Sequence, residues 1–242
     1  MTVSLRSSIK PNSLSASSGA LAIFVKTPEL SPVKTRLAVS IGPEQALQFY
    51  EFALAATEAF ASELQKRISD LQVYWAVAEP DGQGAKRWTS FPVVSQGAGD
   101  LGSRLALVYE SLLKSHSYVC FMGADSPHLE VQTLSEAVRL TKGNSKEKFV
   151  MGETLDGGFY FFGGSIALPS SVWQDVEYST DRTAIQLIQN LSGFGAVERI
   201  SENFDIDTIE DLIRCSFVST GGTVFLPEQI KLIQWSKTLF TG

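Results

Sequence analysis

The sequence holds only two cysteines and two histidines in 242 residues. Cys120 and Cys215 lie 95 positions apart in apolar stretches and form no CxxC pair, so both read as buried thiols. Two histidines cannot build a His-rich metal site. Any metal would have to be held by carboxylates, which favours Mg2+ or Mn2+ over Zn2+. A basic excess is missing too: 20 Lys and Arg against 26 Asp and Glu give a net charge of −6. Nucleic-acid binders carry a basic stripe, and none is present here, which excludes a polymer and leaves a single phosphate-bearing small molecule open. No apolar run approaches the roughly 18 residues of a membrane span. Nor is there an internal repeat or a dividing linker. With 44% hydrophobic and 19% charged residues, the chain has the composition of a globular protein with one substantial core.

Residues 1–19, MTVSLRSSIKPNSLSASSG, contain seven serines, two basic residues and no acid, and read as a flexible tail. The same character suits an organelle transit peptide, whereas a secretory signal needs an uninterrupted apolar core that this segment lacks. A cytoplasmic protein is expected. From residue 20 to 242 the chain reads as a single domain. Strands are expected at 21–25, 71–77, 93–95, 118–122, 149–151, 159–162 and 197–200. Several are apolar on both faces, as in a sheet covered by helices on either side. Amphipathic helices are expected at 43–67, 101–114, 130–140, 183–191 and 209–215. From about residue 216 a helical extension follows, with a turn at the GG pair and a terminal helix over 227–239. This alternation predicts an α/β fold: a three-layer, Rossmann-like, mostly parallel sheet.

Five segments could carry chemistry. KTPELSPVKTRL, residues 26–37, follows the first strand, where ligands of parallel sheets sit. Its cations Lys26, Lys34 and Arg36 could neutralise a diphosphate, with a hydroxyl from Thr35; an ordinary solvated loop explains them equally well. FMGADSPHL, residues 121–129, ends a strand on Asp125, either a helix cap or a carboxylate bound to a divalent ion. His128 reads as a structural or rim residue. LDGGF, residues 155–159, is a tight turn or a place of close ligand approach at Gly157 and Gly158, and Asp156 could hold an acceptor hydroxyl. In FDIDTIEDL, residues 204–212, a capping box explains Thr208 and Asp211 but not Asp205 and Asp207. Asp207 would face Asp125 across a metal if both loops share one end of the sheet. QGAGDLGSRL, residues 96–105, opens a helix with free amides; Arg104 either reaches a ligand phosphate or pairs with Asp100.

The order of these motifs, KxPxxxxVKTRL, GxDLGxRL, GxDSPxL, LDGGFYxxG and DIDTxEDL, resembles the transferase family associated with radical-SAM and selenodomain proteins. That family lies in the nucleotide-diphospho-sugar transferase superfamily, with the glycosyltransferase A fold. The likeness runs from about Ala20 to Leu212. It implies a metal-dependent transferase in which Asp125 and Asp207 hold Mg2+ or Mn2+ and Lys26, Lys34, Thr35 and Arg36 flank the donor phosphates. Asp156, Gly157 and Gly158 match the acceptor-side segment. The chain departs from the family at Ser31 and Pro32, where a glycine is common, and in MGETLDGG, which lacks the usual upstream proline. The implied reaction is glycosyl transfer from a nucleotide-sugar to a small acceptor. The alternative is nucleotidyl transfer from a nucleoside triphosphate to a small phosphorylated acceptor with loss of pyrophosphate; the three cations of the first loop lean toward it, and KTRL also resembles the corresponding loop of phospholactate guanylyltransferase, but the motifs do not separate the two reactions. A nucleotide-binding module without turnover is the third reading.

Overall fold

The computed structural model of the protein describes residues 18–143, 148–220 and 225–240. The expected tail and the GG turn fall outside these residues, except that the tail's last two positions are described and Gly19 already opens the first strand. Seven strands form one sheet: β1 (Gly19–Val25), β2 (Leu71–Val77), β3 (Val93–Ser95), β4 (Tyr118–Gly123), β5 (Lys148–Thr154), β6 (Phe159–Gly164) and β7 (Ala196–Asn203). Their order is β3-β2-β1-β4-β6-β5-β7. β6 runs antiparallel to β4 and β5, and the other pairings are parallel. The carboxyl ends of β1, β2, β4, β5 and β7 therefore share one edge. The mostly parallel α/β sheet expected from the sequence is present.

Among the described residues eight α-helices accompany it: α1 (Thr35–Ile41), α2 (Pro43–Arg67), α3 (Leu101–Leu113), α4 (Val131–Gly143), α5 (Ser171–Gln174), α6 (Thr183–Leu191), α7 (Ile209–Ser216) and α8 (Pro227–Thr238). The two faces of β1 show why the strands lack a polar side. Leu21, Ile23 and Val25 enter a core with α2 and α4, while Ala20 and Ala22 face a second core with α3, α5 and α6. In the second core Trp173, Tyr109, Phe121 and Phe162 pack as tilted and edge-to-face rings, the arrangement that ring quadrupoles favour. Cys120 is buried in the first core and Cys215 of α7 against α8, and burial pushes both thiols up to about 12.

A third core was not legible in the sequence. Leu37 of α1, Phe49 of α2, Leu212 of α7, and Leu232 and Ile233 of α8 pack together. The fully buried Gln229 of α8 donates from Nε2 to the carbonyls of Pro127 and Leu129, at 2.9 and 2.8 Å. The terminal helix thus holds the loop that follows β4. Helix α1 was read as loop because only Leu37 of its seven residues is buried, too few to show a period. No helix among the described residues is long and apolar enough to cross a membrane.

Candidate active site

Three loops from distant parts of the chain meet at the carboxyl edge. Lys34 precedes α1 in a left-handed backbone conformation, φ 47° and ψ 42°, which turns its side chain inward. The side chain is 2% exposed, and its ammonium lies 2.6 Å from Asp125 Oδ1 and 2.8 Å from Asp207 Oδ1. It also donates to the Ile206 carbonyl at 2.7 Å. Burial alone would lower its pKa. Asp125 and Asp207 outweigh that and raise it, so the ammonium stays charged. Burial likewise opposes ionisation of Asp207, yet the Lys34 charge and hydrogen bond, with Arg36 behind, hold its carboxyl below the ordinary range. Asp205 goes the other way: it is buried beside Asp125 and accepts only partial relief from the Ser126 hydroxyl, so its pKa is raised.

Asp125 and Asp207, expected to face each other across a metal, are brought together, with the Lys34 ammonium between them. The lysine read as a phosphate ligand sits between the two carboxylates, with Arg36 Nη1 3.9 Å from Asp207 Oδ2. Among the described residues no three His, Cys, Asp or Glu side chains are grouped to hold a metal. Two carboxylates are nevertheless a donor set that suits Mg2+ arriving with phosphate oxygens, since that ion is commonly held by one or two protein carboxylates plus substrate. The donor set fits a shared metal and not a cage built by the protein alone.

Two cavities open at this edge. The first, about 400 Å3, is lined by Lys26, Lys34, Thr35, Arg36, Tyr50 and Gln96 among others. The second, about 460 Å3, is lined by Asp156, Gly158, Phe159, Tyr178, Asp181 and Asp205 among others. They share a wall of Phe24, Arg36, Leu101, Asp125, Ser179 and Asp207. Arg104 lines neither, and it does not pair with Asp100. Its Nε donates to the Gly99 carbonyl at 3.0 Å and Nη1 to Gln96 Oε1 at 3.4 Å, while Asp100 caps α3 through the Ser103 amide at 2.8 Å. The helix start expected to hold an anion is occupied by its own carboxylate.

Gln96, Tyr50, Glu79 and Ser179 were missed by sequence reasoning. The Gln96 amide donates to the Val25 and Ala76 carbonyls and ties the ends of β1 and β2 together. The Tyr50 hydroxyl accepts from the Lys26 amide and donates to its carbonyl, both at 3.0 Å, and Glu79 Oε2 accepts from the Thr27 amide at 2.8 Å. Tyr50 read as one more apolar-face residue of a long helix, so nothing in the sequence marked it. Ser179, at φ 62°, stands in a stretch without a motif.

The DGG turn joins β5 to β6, and Asp156 and Gly158 line the second cavity. Asp156 Oδ1 accepts from the Thr154 hydroxyl at 2.5 Å and the Gly158 amide at 3.2 Å. Gly157 has φ 88°, and a Cβ there would come within 2.1 Å of the Asp181 carbonyl oxygen. Gly157→Ala should therefore cost at least about 2 kcal/mol, from the left-handed penalty plus a displaced backbone. At Gly158 the nearest atom is the movable Thr154 hydroxyl at 2.8 Å, and Gly158→Ala should cost less. Urea unfolding of the two variants checks the order.

His128 anchors the loop carrying Asp205 and Asp207. Its ring stacks on Phe204 at 4.0 Å, and Nε2 donates to Asn203 Oδ1 at 2.8 Å, leaving the buried Nδ1 without a partner. Burial, only partly offset by Asn203, lowers its pKa to about 4. Because the folded value lies below the unfolded one, the neutral ring's contribution is complete above about pH 6.5 and is lost as pH falls toward 4. The wild type should lose about 2 kcal/mol more than His128→Gln between pH 7 and 4.5, read by chemical denaturation. Equal losses would remove His128 from the acid response.

No curated protein matches the sequence. Among solved structures, a protein from Desulfovibrio desulfuricans G20, provisionally named a nucleotide-diphospho-sugar transferase, superposes with a TM-score of 0.74 at 18% identity, covering 92% of this chain and 96% of its own. The 4-diphosphocytidyl-2C-methyl-D-erythritol synthase of Anaerococcus prevotii DSM 20548 gives 0.53 at 11% identity, over 85% and 97%. A cytidylyltransferase from Leptospira borgpetersenii gives 0.51 at 15%, over 93% and 96%. At these identities the likeness is one of fold. It agrees with the fold that the sequence resemblance implied, and none of these three carries a radical-SAM or selenodomain description. A family model matches residues 59–180, from within α2 through the β4 loop and the DGG turn to the wall of the second cavity. The chain belongs to that family, described as an uncharacterized protein conserved in bacteria (DUF2064), and has the fold of nucleotide-diphospho-sugar transferases and cytidylyltransferases.

Proposed function

We propose that this protein is a transferase using a nucleotide-activated donor, and that it moves a nucleotidyl group from a nucleoside triphosphate to a small acceptor. One observation carries the reading: Lys26, Lys34, Thr35 and Arg36 line a cavity that meets a second one at Asp125 and Asp207. Cations on one side and an adjoining chamber on the other suit a polyphosphate donor beside an acceptor. The names of the cytidylyl-transferring relatives agree with it.

In this reading Lys26 and Arg36 bind and orient the phosphates, Arg36 by its planar fork, and Thr35 donates its hydroxyl. Mg2+ or Mn2+, held by Asp125 and Asp207 with phosphate oxygens, supplies charge neutralisation when bound. Lys34 keeps the two carboxylates in place and adds a fixed positive charge beside the reacting group. Asp156 holds the acceptor hydroxyl. The acceptor oxygen bonds to the α-phosphorus, the bond from that phosphorus to the bridging oxygen breaks, and pyrophosphate leaves with the electron pair. The hydroxyl proton passes to water or a neighbouring carboxylate.

Glycosyl transfer is the second reading. It is favoured by the provisional name of the relative with the TM-score of 0.74. Thermal shifts against nucleoside triphosphates and nucleotide-sugars, with Mg2+, with Mn2+ and with EDTA, separate the two. A ligand that binds the native state raises stability by about 2.7 kcal/mol at a hundredfold excess over Kd. A metal-dependent shift confined to triphosphates supports nucleotidyl transfer, one confined to a nucleotide-sugar supports glycosyl transfer, and no shift at all sinks both.

A further inference from the structure

We infer that the second cavity receives a neutral, hydroxyl-rich acceptor, such as a sugar or polyol bearing no phosphate. This rests on the donor reading above and names the substrate class of its acceptor side. The three cations divide unequally between the cavities. Lys26 and Lys34 line only the first, and Arg36 is the sole Lys or Arg among the residues lining the second. Arg36 already stands 3.9 Å from Asp207 Oδ2. Against it the second cavity presents the carboxylates of Asp156 and Asp181, which no cation among the described residues meets, beside Asp125 and Asp207, which Lys34 already pairs, and Asp205, which accepts from the Ser126 hydroxyl.

The Asp156 and Asp181 side of this cavity repels a phosphate or carboxylate and accepts hydrogen bonds from hydroxyls, because an ionised carboxylate is an acceptor only. The carboxylates are not committed to one another. Both bonds recorded at Asp156 fall on Oδ1, so Oδ2 is the oxygen available to an acceptor hydroxyl. The apolar part of the same cavity comes from Phe24, Phe121, Phe159 and the tyrosines 160 and 178, ring surfaces that match the C–H faces of a sugar or polyol. Carboxylates and rings together describe a compound that is apolar on its faces and donates hydrogen bonds at its edges. The phosphorylated acceptor expected on the nucleotidyl reading would find only Arg36 here, already drawn to Asp207, since Lys26 and Lys34 line the other chamber alone.

The test uses matched pairs at equal concentration: glycerol with glycerol 3-phosphate, and glucose and mannose with their 6-phosphates. The full chain is followed by thermal shift, without nucleotide and with each triphosphate plus Mg2+, and by pyrophosphate release. The neutral members should raise the melting temperature, and should stimulate pyrophosphate release at least about tenfold more than their phosphates. Asp181→Lys, which places a cation in the exposed wall, should shrink that preference at least about tenfold. A preference for the phosphorylated members, or the same response to both, overturns the inference. A missing shift with every triphosphate overturns the donor reading instead, and the acceptor pairs measured without nucleotide still decide this one.

Discussion

Lys34→Met should lower the stability of the protein by about 2–3 kcal/mol at neutral pH. Breaking a fully buried ion pair by removing one partner costs about 3–5 kcal/mol, because the other charge is left unpaired. Here the lysine side chain is 2% exposed, but the Asp125 and Asp207 side chains are 46% and 38% exposed, so water screens part of the loss. Methionine keeps most of the volume beside Phe49, whose ring lies 5.6 Å from the ammonium, and the measured loss then reports charge more than packing. The pH dependence follows from the directions of the shifts. The raised lysine pKa leaves its contribution intact below the unfolded value near 10.4, while the lowered Asp207 pKa means a contribution lost as pH falls below about 4. The gap between wild type and variant should be flat from about pH 5 to 9 and close in acid. Millimolar Mg2+ should stabilise the variant more than the wild type, by replacing the missing cation between the two carboxylates. Unchanged melting in Lys34→Met would show that the ammonium is not what holds the three loops together.

Asp125→Asn should abolish metal-dependent nucleotide binding while leaving the fold within about 1 kcal/mol of its original stability. The amide keeps an oxygen toward Lys34 and removes one of the two negative charges that a divalent ion needs. A contact to a charged group contributes about 1.5–3 kcal/mol, so triphosphate affinity in the presence of Mg2+ should fall about 10- to 150-fold. In EDTA, wild type and variant should bind alike. Isothermal titration with each triphosphate checks both conditions, and an equal loss with and without metal would assign Asp125 to direct phosphate or structural work instead.

The strands show how far the sequence could be read. β2 and β3 begin and end at the residues their apolar runs marked, because a run of apolar residues is a local signal even where, as in β3, the strand is only half-buried. Strands β1, β4, β5, β6 and β7 extend one to three residues beyond their apolar runs at one or both ends. These added positions, among them Gly19, Lys148 and Gly164, are held by backbone pairing to a neighbour that local composition does not specify. The capping box of α7 was equally plain: Thr208 and Asp211 satisfy each other's amides within four residues. Asp125 and Asp207 were recognised as a pair because capping left Asp207 unexplained and a parallel sheet gathers loops at one edge.

Other features depended on distance along the chain. Gln229 reaches back a hundred residues to the β4 loop, and the Tyr50 hydroxyl closes on Lys26 from a helix whose pattern showed only an apolar face. Neither leaves a local mark, because hydrogen-bond partners far apart in sequence carry no spacing. Arg104 was placed on a phosphate or on Asp100, and the Gly99 carbonyl took it instead, since Asp100 was already the helix cap.

Sequence by itself determined the layers of the fold, the edge at which the candidate loops meet, and most of the residue types gathered there. Periodicity, punctuation by Gly and Pro, and the strand-end rule are local or topological, so one chain suffices to read them. Only the tertiary structure decided what those residues do to one another. Lys34 turned from a loop cation into a buried ammonium between two carboxylates, because its left-handed backbone and the packing of α1 against α2 and α7 aim it inward. Lys26 and Lys34 came to line one chamber and Asp156 and Asp181 the other for the same reason: charge is a property of the sequence, but the field at a point depends on which charges the fold brings within a few ångströms.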